Sequence, residues 1–152
     1  MSLNVELLQR TMAYIDAHPE QHDQGEWVER KPECGTAACF AGWAAILEFG
    51  EGVIFDDGEM LAFRLPAPYS NRRYDGLPPL MSQQAARLLG LSSVQAYTLF
   101  NACNTRGMLR AMVNDLVATG DLAGAVDWYE AEVGQDDEVA ELREQLSRRH
   151  GE

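Results

Sequence analysis

Three cysteines, Cys34, Cys39 and Cys103, are the side chains of this sequence best suited to nucleophilic or metal chemistry. Two of them lie in the stretch Cys34-Gly-Thr-Ala-Ala-Cys39-Phe-Ala-Gly-Trp-Ala-Ala45, whose apolar continuation to Gly50 reads as a helix. Thr36 is the expected N-cap, because its hydroxyl can accept a free backbone N–H. Cys39 then falls near the third residue of that helix, where the field of the first turn favours an anion and so a reactive thiolate. A cysteine nucleophile also needs a base within reach. The histidines are His18, His22 and His150, and nothing in the sequence requires His18 or His22 to fold back onto Cys39. The competing reading is a packed, inert thiol, since free cysteine is among the most buried residue types.

The stretch resembles, at a different spacing, the nucleophile region of papain-like enzymes, in which a cysteine opens a helix. Cys34, Cys39 and Cys103 with one histidine would also supply four zinc ligands, and Cys-x4-Cys suits one half of such a site. A second close pair is missing, and Pro19 interrupts the His18-x3-His22 spacing that a helix would need to present both rings together. Packing therefore outweighs chemistry at the cysteines, and the sequence assigns neither a catalytic residue nor a cofactor.

Two further segments bear on binding. Residues 83–101 resemble a helix-turn-helix: Ala86 precedes Gly90 by four, and Ala96 and Leu99 are placed to pack the second helix on the first. The second helix carries no basic residue, whereas phosphate contacts supply most DNA affinity. A helical hairpin inside the core is the plainer reading. Pro68-Tyr-Ser-Asn-Arg-Arg-Tyr-Asp-Gly76 places Tyr69, Arg72, Arg73 and Tyr74 on one long loop. Tyrosine and arginine are enriched at binding hot spots, and long loops in compact domains are often functional.

The elements that position these residues follow from periodicity. Leu7, Leu8, Met12 and Ile15 make a helical stripe over residues 4–17, ended by Pro19. Residues 19–33 are polar and irregular, with Trp27 and Val28 as anchors. In the second helix Ala38, Gly42 and Ala45 make one small face that admits another helix closely, and Phe40 and Trp43 belong to the core. Asp57-Gly58 between residues 53–55 and 60–63 signals a hairpin. Ser82, Ser92 or Ser93, and Thr105 are N-cap candidates for three successive helices, with Gly90 and Gly120 as stops. Residues 121–133 and 136–148 predict two more helices with charged outer faces. The expected architecture is a mainly all-α single domain over residues 1–152: a compact bundle of five to seven helices with one small β-hairpin.

Composition narrows the class further. At 152 residues the chain suits one domain that needs no disulfide or metal to fold. The net charge is −12, divided as −4 over residues 1–114 and −8 over residues 115–152. Such a surface repels nucleic acid and anionic membranes and attracts a basic partner. No apolar run reaches membrane-spanning length, and the N-terminus lacks a signal-peptide pattern. Three cysteines without a framework fit a reducing cytoplasm.

Trp27 with the 34–45 stretch, followed by Ala-Arg-Leu-Leu-Gly-Leu91 and Ala-Tyr-Thr-Leu-Phe100, resembles a group of small uncharacterised proteins of actinobacteria and their phages. The resemblance spans residues 15–105. It implies a bacterial or phage-infected cytoplasm and carries no catalytic or binding role. The functional expectation is a non-enzymatic interaction or regulatory module, phage-encoded and acting on a host protein through Tyr69, Arg72, Arg73 and Tyr74 or through the acidic C-terminal helices. A cysteine-dependent enzyme or zinc protein centred on Cys34 and Cys39, and a DNA-binding protein using residues 83–101, are the alternatives. Self-association is open.

Overall fold

A computed structural model of the chain describes residues 3–31, 35–56, 61–70 and 80–122. The expected helix over 121–133 beyond its first two residues, which are not helical, the expected helix over 136–148, the Asp57-Gly58 turn, and Cys34, Arg72, Arg73 and Tyr74 lie outside the described residues. Within them the protein is mainly helical. Five α-helices run in the order α1 (Val5–Ala17), α2 (Phe40–Phe49), α3 (Met81–Leu89), α4 (Ser93–Leu99) and α5 (Arg106–Thr119). No helix among these residues is long and apolar enough to cross a membrane.

Two two-stranded antiparallel sheets accompany the helices, where the sequence led us to expect one hairpin. The expected one is present as β3 (Ile54–Asp56) and β4 (Leu61–Phe63), with Phe55 opposite Ala62. The additional pair is β1 (Glu29–Lys31) and β2 (Gly35–Ala37), with Arg30 opposite Thr36. It falls where an irregular loop and the first turn of a helix were expected. Gly35 takes a positive φ of 79°, a conformation that lets the chain enter β2 directly. Thr36 is therefore a strand residue and not a helix cap. Its hydroxyl accepts from the Arg30 guanidinium at 2.8 Å and donates to Glu51 at 3.1 Å. The helix begins four residues later than its expected cap, at Phe40.

Helix α2 is the centre of the molecule. Every residue from Phe40 to Ile46 is buried, as its nearly all-round apolar sequence requires. Helix α1 packs against it with Leu7, Leu8, Met12 and Ile15, all buried. Helix α5 adds Met108, Leu109, Met112, Val113 and Leu116 to the same core. Asn4 joins two helix ends. Its Oδ1 accepts from the Leu7 N–H, and its Nδ2 donates to the Leu88 carbonyl at the end of α3. Outside the core, Arg110 pairs with Asp16 across α5 and α1, and Arg10 pairs with Glu48 across α1 and α2.

Candidate functional site

The first candidate is the entry to α2. The segment of residues 18–28 folds over it and is fastened by backbone bonds: Ala38 N–H donates to the Gln21 carbonyl, Asp23 N–H to Ala38, and Cys39 N–H to Glu26. The Trp43 indole N–H donates to the same Gln21 carbonyl at 2.7 Å. Gly42 explains how the two can lie so close. A Cβ built there would fall 1.9 Å from the Trp27 carbonyl oxygen and 2.8 Å from the Ala38 Cβ. The small face expected to receive a helix instead receives irregular backbone.

Gln24 completes this seat from inside, at 8% exposure. Its Nε2 donates to the Leu99 carbonyl at the end of α4, and its Oε1 accepts from the Phe40 N–H at the start of α2. Helix ends leave such groups without an intrahelical partner, so one side chain satisfies two helices at once. The same Oε1 lies 2.8 Å from His22 Nε2. With the amide N–H already given to Leu99, that oxygen can only accept, so His22 must donate from Nε2.

Cys39 occupies the N-cap position of α2, one turn earlier than expected, and is 1% exposed. Burial pushes its thiol up to about 11, against the downward pull of the Gly42 and Ala41 N–H groups. The helix start does act on the sulfur as the sequence suggested, but desolvation outweighs it. A thiol in that state is not a nucleophile at neutral pH. The fold brings the backbone of His22 beside Ala38, the residue before Cys39. The His22 ring's Nε2 donates to Gln24 and cannot be the accepting base, which leaves only Nδ1 for that role. His18 stacks on Tyr14 with ring centroids 4.2 Å apart and donates from Nδ1 to the Tyr14 carbonyl. The Tyr14 hydroxyl bonds Gln21, and its pKa is raised by burial and then by Glu20 and Glu51. Cys103 is exposed on the turn before α5. No group of three or more His, Cys, Asp or Glu side chains among the described residues is arranged to hold a metal ion.

The second candidate, the helix-turn-helix-like segment, does form two short helices with a three-residue turn. Leu91 N–H reaches back to Ala86, and Gly90 ends α3 in the left-handed region. Ser92 caps α4, while Gln95 returns its Oε1 to the Ser92 N–H, a reciprocal capping box. Helix α3 starts at Met81 rather than after Ser82, with Gln83 accepting from the Leu80 N–H. Helix α4 is turned inward, with Gln95, Ala96, Thr98 and Leu99 buried. Gln95 in particular cannot read a base, because its Nε2 donates to the Gly120 carbonyl beyond α5. Ser93 and Tyr97 are the exposed residues of α4, and neither is basic.

The third candidate is the approach to the tyrosine and arginine loop. Tyr69 packs on Phe49 at the end of α2, with centroids 5.9 Å apart and planes 56° to one another. The Arg87 guanidinium donates to the Tyr69 carbonyl at 3.4 Å. Leu65 N–H donates to the buried Gln84 side chain, so the segment is held along α3 from its start. Phe49 is 36% exposed; on β3 the exposed Phe55 lies 5.1 Å beneath the Arg64 guanidinium. The sequence pointed to Tyr69 but missed Phe49, which read as the last apolar residue of a core helix. The Gly50 stop beside it was the available sign that the helix ends there and that Phe49 stands at its rim.

No protein-family model, curated protein or solved structure matches the chain.

Proposed function

We propose that the protein is a non-enzymatic interaction or regulatory module. It binds another protein through the surface where Tyr69 rests on Phe49 and from which the chain continues into Arg72, Arg73 and Tyr74. The observation that carries this reading is the seated aromatic pair. Tyr69 is braced by Phe49 from one helix and by Arg87 from another, yet Phe49 keeps a third of its surface in water. An aromatic anchor held by such contacts and followed in the sequence by arginines is the composition that dominates binding energy at protein interfaces. The buried, raised thiol of Cys39 weighs in the same direction, because it withdraws from chemistry the cysteine that stands at a helix start. The acidic sequence of residues 115–152 suits a basic partner and salt-sensitive association. The resemblance to proteins of actinobacteria and their phages supports a bacterial or phage-infected cytoplasm as the setting.

Affinity capture from a host lysate tests this with three baits: the wild type, Phe49→Ala with Tyr69→Ala, and Arg72→Glu with Arg73→Glu. Both double variants are expected to melt within a few degrees of the wild type and to lose a protein that the wild type retains. Retention of every captured protein by both folded variants would overturn the reading.

A further inference from the structure

We draw no further inference here: the strongest candidate, the exposed aromatic patch at the C-terminal end of α2 where Phe49 meets Tyr69, belongs to the surface already described, and nothing in the structure shows what covers it.

Discussion

The entry to α2 and the α3–α4 pair are both places where the chain changes direction against the core, and they solve that problem differently. The α3–α4 turn uses parts found in helical proteins generally: a left-handed glycine, a serine N-cap and a glutamine that closes the capping box. The α2 entry relies on residues that fit only this place. A glycine lies against a carbonyl, an indole N–H meets a loop backbone, and one buried glutamine serves the ends of two helices. The turn is built from common residues, and its sequence resembles a DNA-binding motif. The α2 entry is distinctive in sequence, and it resembles a catalytic motif. In both regions the residues that attract attention are engaged in holding the backbone together. Distinctiveness at 34–45 thus reflects irregular backbone packed on a helix, which tolerates few side chains.

That contrast is broken most sharply at Gly42. Gly42→Ala puts a methyl into the Trp27 carbonyl, and backbone cannot yield as a flexible side chain would. The expected loss is about 3 kcal/mol, at the upper end for overpacking, or roughly 6–12 °C in melting temperature. Gly52→Ala is the control, since nothing lies within 4 Å of its built Cβ. Denaturant titration of the two variants beside the wild type reads the difference. Equal stability of both would mean that the 18–28 segment is not seated on α2 as described.

Cys39 gives the next effect, read as a pH dependence. Its thiol lies at about 11 in the folded protein against an ordinary 9.0, so the unfolded chain releases the proton first as pH rises. The stability tied to the neutral thiol is fully present below about 9 and is lost as pH climbs toward 11, a total of about 3 kcal/mol if the whole shift is realised. In a Cys34→Ser, Cys103→Ser background, stability should therefore fall more steeply over that window than in the same background carrying Cys39→Ala. Native thiol labelling at neutral pH should be slow and limited by unfolding. Parallel pH profiles together with rapid labelling would restore Cys39 as a chemical candidate.

Gln24→Met keeps the volume of the side chain and removes its polar atoms. The Phe40 N–H, the His22 Nε2–H and one donor to the Leu99 carbonyl are then lost to the interior. Leu99 keeps Asn104 as another donor, which limits the damage to about 2 kcal/mol. Amide hydrogen exchange at Phe40 should accelerate more than exchange within α5. A uniform acceleration across both helices would show that Gln24 contributes only to global stability and does not tie these two ends.

Much of the fold was legible in the sequence because regular elements announce themselves locally. Ser92 and Thr105 cap the helices they were expected to cap, α1 starts where its apolar stripe was expected to begin, and Gly50, Gly90 and Gly120 end their helices. The β1–β2 pair was not legible, because each strand has three residues, too few to show an alternation of apolar and polar side chains. The displacement of the α2 start follows from that pair. Thr36 is a good cap by composition, but its hydroxyl is engaged with Arg30 across the sheet and with Glu51 beyond α2. At the candidate site, residue type drew attention to Cys39 and Tyr69. It could not supply the burial that silences the first or the aromatic partner that seats the other.

The smallest expected effect comes from the generic side of the comparison. Ser92→Ala removes the hydroxyl that accepts from the Gln95 N–H and leaves Gln95 to hold the turn through its own Oε1 and through Gly120. Loss of an N-cap costs typically about 1 kcal/mol, and the remaining half of the capping box keeps the value from rising above that. Ser92→Asp supplies another good cap in place of the hydroxyl and should restore most of the loss. This exchangeability is what separates the two regions: a cap can be replaced by another residue of the same chemistry, whereas no residue larger than glycine fits at position 42. A Ser92→Ala loss as large as that of Gly42→Ala, unrescued by aspartate, would place the α3–α4 turn among the specific contacts and erase the distinction.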